Sequence, residues 1–332
     1  MGFRKSKAAK IGGKFLIYGE SGTSKSTTAI TFPNIAAIDS ETGLGFYEGQ
    51  DIKLNNGNTY NNIKLIDSTS DLDTLEEHLD NFSSGGMDKE GIETLVIDSE
   101  TKFYNAMQIG CQEVEERRAR RQGKSVDDAN LSIRSWGRIK MINMRLQQAK
   151  IDLSSRGWHI VSVAQGEHKY EGEGDKRKSI GIFPQMHKSV GFDYDVILQT
   201  YTELKDGEMR YYAKVIKDRT SVFRVGEIIE NPCYDYWKEY FDSRGKLKTS
   251  ATSYKQDIET STDNLIDKSD KAEELAGQLK ELMKNLKTAG NTDALSKIGA
   301  LIKEKGIDVK KLEMQTVEDL TELVDFAELQ AA

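Results

Sequence analysis

The sequence is poor in the residues that stabilise secreted proteins or bind metals on their own. Its 332 residues include only two cysteines, Cys111 and Cys233, which lie far apart, and four scattered histidines. This scarcity argues against a disulfide framework or a Cys/His zinc site and favours a reduced, cytoplasmic protein. No run of 18 apolar residues occurs, so we expect no membrane-spanning segment and no membrane partner.

The chain also lacks an overall positive charge, because 47 Lys and Arg residues face 54 Asp and Glu residues and the net charge is -7. Any contact with nucleic acid must therefore be local. The charge is unevenly distributed, since residues 251–332 hold 11 lysines and 17 acidic residues. We interpret this acidic segment as a protein-contact or regulatory module rather than a DNA-binding one.

The strongest motif lies near the start of the chain, where the apolar run Phe15–Tyr18 leads into a glycine-bearing turn and then a helix start. That order is typical of a phosphate-binding loop, in which backbone N–H groups, a lysine and a hydroxyl bind phosphates and Mg²⁺. Lys25 and Ser26 occupy the lysine and hydroxyl positions. The predicted nucleotide-binding residues are Gly19, Glu20, Ser21, Gly22, Thr23, Ser24, Lys25, Ser26 and Thr27.

One position departs from the pattern G-x-x-x-x-G-K-[ST], because Ser24 stands where glycine is expected. A serine fits there if the local backbone is helical, since only a positive φ or a close ligand would exclude its Cβ. The alternative is a Gly/Ser turn that binds no nucleotide.

Two further apolar runs end in carboxylates, as buried parallel strands near a phosphate site often do. Residues 35–38 lead into Asp39 and Glu41, and residues 94–97 lead into Asp98. Ligands lie beyond the carboxyl ends of such strands, so Asp39 and Glu41 are predicted to point toward the phosphates. We expect Asp98 to hold the Mg²⁺ shell; the alternative is that it caps the next helix.

The remaining pattern predicts an α/β core followed by helices. Residues 136–153 have helical spacing, a strand over 158–164 ends at Gln165, and antiparallel strands are predicted over 195–201, 209–216 and 221–225. We divide the chain into a basic arm (1–10), an ATPase core (11–240), a polar linker (241–268) and an acidic helical domain (269–332).

Two stretches of the chain are locally basic, and the first is a candidate DNA contact on its charge alone. The first contains Arg117, Arg118, Arg120, Arg121 and Lys124, and the alternative there is a solvated helix face. The second is a predicted mobile loop over 166–185 with Lys169, Tyr170, Lys176, Arg177 and Lys178.

In order along the chain, these motifs resemble the core of RecA-type ATPases, and in particular the short phage-encoded, Sak-type RecA-like proteins of single-strand annealing recombination. The motifs are Lys25-Ser26, Ile38-Asp39-Ser40-Glu41, Val96-Ile97-Asp98-Ser99, Val163-Ala164-Gln165 and Lys214–Arg219, and the resemblance covers roughly residues 11–230. It implies a RecA-like P-loop NTPase core with a mostly parallel sheet and antiparallel C-terminal strands, plus a small all-α domain.

The resemblance also implies roles for individual residues. Glu41 would polarise the attacking water, Asp98 and Ser26 would hold Mg²⁺, and Gln165 would sense the γ-phosphate of ATP. Lys217 and Arg219 resemble paired cations that reach the nucleotide of a neighbouring subunit. Both basic stretches fall where that family has DNA-facing loops.

From this resemblance we expect an ATPase that binds single-stranded DNA and promotes annealing or strand pairing in phage-type recombination, in the cytoplasm of the bacterial host. Its subunits would associate through nucleotide-bridged interfaces, and the C-terminal helices would contact a single-strand-binding protein or another recombination or replication protein. The alternatives are a helicase loader or replication motor, and a nucleotide-bound scaffold that does not hydrolyse ATP.

Overall fold

The computed structural model describes residues 9–55, 57–127, 129–172, 177–244 and 254–331. The chain divides into two compact units, with the boundary at Tyr254. Within the described residues, no helix combines the length and the apolarity needed to cross a bilayer.

The first unit alternates strands and helices. Its strands are β1 (Lys14–Gly19), β2 (Ile35–Asp39), β3 (Ile52–Lys53), β4 (Thr59–Tyr60), β5 (Ile63–Asp67), β6 (Thr94–Asp98), β7 (His159–Glu171), β8 (Lys178–Pro184), β9 (Val196–Lys205), β10 (Glu208–Asp218) and β11 (Ile228–Glu230). Its helices are α1 (Lys25–Ala29), α2 (Leu72–Ser83), α3 (Glu100–Arg121), α4 (Ile133–Ser155) and α5 (Asp235–Ser243).

The main sheet has β1 at its centre. The order across it is β11, β10, β9, β1, β7, β6, β2, β5. The six strands from β9 to β5 run parallel to one another. Strand β10 is antiparallel to β9, and β11 is antiparallel to β10. In register, Gly19 lies opposite Gln165 and Thr200, and Asp39 lies opposite Asp98. The carboxyl ends of these parallel strands therefore meet at one edge.

Both faces of the sheet are covered, which explains why its central strands are almost continuously apolar. On one face Phe15 of β1 packs edge-to-face on Phe32 and on Trp237 of α5, with ring centroids 4.8 and 5.4 Å apart. Leu95 of β6 belongs to a second apolar cluster, formed with side chains of α2, α3 and α4.

Two predictions about the β-rich part were wrong. Residues 166–185 are not a loop: β7 continues to Glu171 and pairs with β8 as an antiparallel hairpin. Most of this ribbon beyond its root is exposed, so its sequence lacks the apolar alternation that indicates a strand. The third antiparallel strand is Ile228–Glu230 rather than 221–225. The backbone turns just after Asp218, because the carboxylate of this residue accepts N–H bonds from Thr220 and Phe223.

The second unit consists of α6 (Tyr254–Thr288), α7 (Thr292–Glu304) and α8 (Val317–Ala331) around their own apolar core. Asn291 caps α7 by accepting the N–H of Ala294, and Thr316 accepts the N–H of Asp319. The predicted linker over 241–268 needs correction, because α6 already begins at Tyr254. Residues 254–268 are polar but contain no glycine or proline, so their composition does not break a helix.

Candidate nucleotide site

The glycine-bearing turn after β1 has the backbone of an anion-binding loop. Gly22 and Ser24 have φ angles of 75° and 65°, and Lys25 begins α1. Gly19 is required, because a Cβ there would lie 2.3 Å from the backbone oxygen of Thr200. The condition under which a serine fits easily, a helical backbone, is not met: Ser24 adopts a left-handed conformation that favours glycine.

The lysine and the hydroxyl of the loop face acidic side chains. Ser26 Oγ donates to Asp98 Oδ2 at 2.5 Å. Lys25 Nζ donates to the carbonyl oxygen of Glu20 at 2.6 Å, a contact that an incoming phosphate can replace. Burial lowers the pKa of Lys25, although the carboxylates of Asp98, Glu41 and Glu20 act in the opposite direction.

Asp98 is well placed to hold a divalent cation beside Ser26. Burial raises the pKa of its carboxyl from 3.8 to about 6, an effect that the Ser26 hydrogen bond opposes and that Glu41 and Asp39 reinforce. A buried carboxylate of this kind gains from a cation. No group of three or more His, Cys, Asp or Glu side chains in the described chain could hold a metal alone. Mg²⁺ is commonly held by one or two protein ligands plus phosphates and water, and Ser26 and Asp98 would supply the protein ligands here.

Glu41 and Gln165 meet at the same edge of the sheet, 124 residues apart in sequence. Gln165 Nε2 donates to Glu41 Oε1 at 2.7 Å, and Ser99 Oγ donates to the same oxygen at 2.6 Å. The backbone N–H of Gln165 donates to Thr101 Oγ1 at 2.9 Å. The carboxylate is thus oriented by two donors, one of them on β7.

Asp39 does not point toward the phosphates, contrary to the prediction. Its side chain is buried and accepts backbone N–H bonds from Glu41, Gly43, Leu44 and Gly45. It therefore shapes the turn that presents Glu41. Parallel-strand geometry alone could not distinguish the two carboxylates.

A cavity of about 430 Å³ adjoins the phosphate-binding loop. Tyr47, Lys53, Tyr211 and Asn231 line it together with residues 22–28. Two aromatic rings and an amide suit a nucleobase and ribose. No sequence pattern predicts these lining residues, because they come from separate segments, one of them the short β3–β4 hairpin within a predicted loop.

Lys217 and Arg219 lie at the other end of the sheet from the loop. Asp218 is in register with Val196, which pairs with Phe15 at the start of β1, about 13 Å along the strand from Gly19. Lys217 donates to the backbone oxygens of Gly191 and Phe192, and Arg219 pairs with Asp195 at 3.2 Å. Neither residue belongs to the nucleotide site of its own chain.

The predicted DNA contacts fall on two elements. Arg117, Arg118, Arg120 and Arg121 lie on the last turns of α3 rather than in a loop, and Lys124 follows it. Lys169, Tyr170 and Lys178 lie on the β7–β8 hairpin with Arg177 just before β8, and Lys176 lies outside the described residues. On the hairpin Tyr170 is 49% exposed, and the Arg177 guanidinium lies 4.4 Å from its ring centroid.

A phosphate-binding loop on the central strand of a mostly parallel sheet, with Asp98 and Glu41 beside it, defines a P-loop NTPase with a RecA-like fold, followed by C-terminal helices. The family model described as AAA domain (AAA_24) matches residues 11–226. The chain belongs to this AAA domain family. No curated protein matches it.

Two solved structures are similar to the chain. The RadB recombinase shares 15% identity at a TM-score of 0.40, covering 67% of this chain and 87% of RadB. The flagellar accessory protein FlaH from Methanocaldococcus jannaschii shares 12% identity at a TM-score of 0.36, covering 67% of this chain and 85% of FlaH.

Proposed function

We propose that the protein is an ATP-dependent, single-stranded-DNA-binding recombination protein that promotes strand annealing or pairing, as the phage Sak-type proteins it resembles would. ATP would bind with its phosphates on residues 19–26. Ser26 and Asp98 would hold Mg²⁺, which would supply charge neutralisation at the phosphates. Glu41 would orient and polarise the attacking water.

One observation carries this proposal: the exposed β7–β8 hairpin is anchored directly to the nucleotide site. Gln165 bonds to Glu41, and His168 Nε2 lies 2.9 Å from Glu20 Oε1 in the phosphate loop. Between them, Gly166 packs so closely that a Cβ would lie 2.8 Å from the carbonyl carbon of Gly19. A rearrangement of the loop around phosphates would therefore move the root of the hairpin.

The hairpin has the side chains that stack on unpaired bases. The His168 ring stacks on Tyr170 with centroids 6.4 Å apart, and Lys169 Nζ lies 5.3 Å from the centroid of the partly exposed Phe183. Aromatic rings beside cations bind single strands with little sequence preference. The cations at the end of α3 stay secondary in this proposal, because glutamates on the same helix pair with three of them.

Subunit association would complete the active site. Because Lys217 and Arg219 lie far from the phosphate loop of their own chain, we propose that they act on the nucleotide of a neighbouring subunit. The acidic helices from Tyr254 onward would contact another recombination or replication protein.

The test measures ATP hydrolysis with and without single-stranded DNA, and annealing of complementary oligonucleotides with ATP. We expect DNA to stimulate hydrolysis and the protein to accelerate annealing. Tyr170→Ala should weaken both effects, whereas the control Tyr170→Phe, which keeps the ring, should retain them. Turnover that requires a helicase would indicate a loader or motor instead, and nucleotide binding without turnover would indicate a scaffold.

A further inference from the structure

The outer face of α4 has a charge pattern unlike that of the two predicted DNA contacts. Arg134, Arg138, Lys140 and Arg145 are exposed, and the helix has no acidic residue before Asp152. Within the described part of the chain, no hydrogen bond or ion pair engages any of these four cations. Residues 166–185, by contrast, hold four cations and four carboxylates, so the hairpin has no net charge.

The glutamates of the neighbouring helix do not neutralise the α4 cations. Glu113 and Glu116 pair with arginines of α3 itself. Glu115 accepts bonds from Ser132, Ser135 and Arg118, which lower the pKa of its carboxyl to about 2. The Ser132 and Ser135 bonds fix the start of α4 against α3. The α4 cations remain available for an external anion.

Large apolar side chains lie between these cations. Ile133, Trp136, Met141 and Met144 are 92, 44, 53 and 50% exposed. At 100° per residue, Arg134, Arg138 and Arg145 form a row within about 40° of one another. Going round the exposed side of the helix, Met141 and Met144 follow this row. Lys140 and then Trp136 lie at the far edge, with Trp136 about 160–180° from the row. A partly exposed ring with Lys140 one turn away, and apolar side chains leading across to a row of arginines, suit a strand with charged phosphates and apolar bases.

The face adjoins the root of the hairpin. Burial lowers the pKa of the His187 imidazole, and the charges of Lys188 and Lys140 lower it further, so Lys140 lies near this ring. His187 follows three residues after the end of β8. Cations thus extend from the end of the hairpin onto α4.

We infer that the outer face of α4 is a binding surface for single-stranded nucleic acid, with Arg134, Arg138 and Arg145 on the phosphates and Trp136 stacked on a base. This inference rests on the proposed DNA binding and adds to the hairpin an electrostatic contact on α4. The partner is a polyanion, because the face has four unpaired cations and no carboxylate to match a basic protein surface.

The test compares two triple variants that remove the same charge from neighbouring helices. The α4 variant is Arg134→Ala, Arg138→Ala, Arg145→Ala, and the matched α3 control is Arg117→Ala, Arg120→Ala, Arg121→Ala. Binding of a labelled oligothymidylate is measured by anisotropy across a salt series with an ATP analogue. The α4 variant should lose about tenfold in affinity, and its slope of log K against log salt should fall by about 2, at about 0.7 per phosphate contact. The α3 control should change the slope by less than half as much.

Intrinsic fluorescence gives an independent readout, since Trp136 is 44% exposed whereas Trp158 and Trp237 are buried. Oligothymidylate should quench tryptophan emission, Trp136→Phe should abolish the quenching with little loss of affinity, and Trp136→Ala should lower affinity about tenfold at an unchanged salt slope. Retained ATP-analogue binding confirms that each variant is folded.

The two failures can be distinguished. If the wild type binds no single-stranded DNA, the proposed function and this inference both fall. If the wild type binds but the α4 variant matches the α3 control, only the inference is overturned. A variant that loses self-association while keeping the wild-type salt slope would mark the face as a protein interface, which also overturns it.

Discussion

The left-handed serine in the phosphate loop allows a sharp test of the loop conformation. Ser24 has φ 65° and ψ 24°, and its Oγ is buried without a hydrogen-bond partner among the described residues. Both features oppose folding, and Ser24→Gly removes both. The substitution should therefore stabilise the protein without altering any contact of the neighbouring Lys25.

The magnitude follows from three opposing contributions. A left-handed residue other than glycine costs about 1–2 kcal/mol, while glycine loses about 0.5–1 kcal/mol more through backbone entropy on folding. Removing the buried Ser24 hydroxyl, which has no hydrogen-bond partner, stabilises the variant by about 1 kcal/mol. We expect Ser24→Gly to raise the free energy of unfolding by about 1–2 kcal/mol. For a unit of this size, each kcal/mol shifts Tm by about 2–4 °C.

Thermal and denaturant unfolding of the nucleotide-free protein measure this difference. Ser24→Ala should recover only the part due to the hydroxyl, because its Cβ remains. The control is Ser21→Gly in the same loop, at an exposed position without a positive φ, which should destabilise by about 0.5–1 kcal/mol. Ser24→Gly that proves no more stable than the wild type would refute the left-handed conformation.

Four other predictions follow from the site and its surroundings. Because the pKa of Asp98 is raised to about 6, Mg²⁺ affinity measured by calorimetry should fall as pH drops below 6 and level off above it; Asp98→Asn should remove this dependence. For the same reason the metal-free protein should lose stability as pH rises from about 4 through 6, since its folded state favours the protonated carboxyl. Lys150→Met should destabilise by about 3–5 kcal/mol in denaturant unfolding, because it leaves Glu100 buried without its partner; adding Glu100→Gln should restore most of the loss, and no recovery would contradict a simple ion pair. Mixing Lys25→Ala subunits with Arg219→Ala subunits should restore part of the ATPase activity that each lacks alone, whereas an inactive mixture would exclude action across an interface.

The proximity of Ser26 and Asp98 could be predicted from the sequence, because local patterns determine it. Gly19, Lys25 and Ser26 follow one apolar strand, and Asp98 follows another, so parallel-strand geometry brings them together. The same reasoning misassigned Asp39, since the choice between two carboxylates depends on which one the turn N–H groups bind.

Features that depend on tertiary contacts could not be predicted in this way. The β7–β8 hairpin is largely exposed and carries no apolar alternation, so its sequence predicted a loop. The sequence did not predict the cationic face of α4, because Arg134, Arg138 and Arg145 are spread over three turns. The cations of the run 117–124, by contrast, are close together in sequence. The structure shows that three cations of this run, Arg117, Arg118 and Arg120, are paired with glutamates, whereas among the described residues the α4 cations are not.

The central claim, that Glu41 polarises water beside an ATP held by Lys25, is tested most directly by measuring nucleotide affinity and turnover of Glu41→Gln on the same preparation. The amide preserves the size of the side chain and its contact with Ser99 but cannot polarise water as a carboxylate does. We predict ATP affinity within about threefold of the wild type and a fall in kcat of at least about 100-fold. Wild-type turnover in Glu41→Gln would contradict this account of the site.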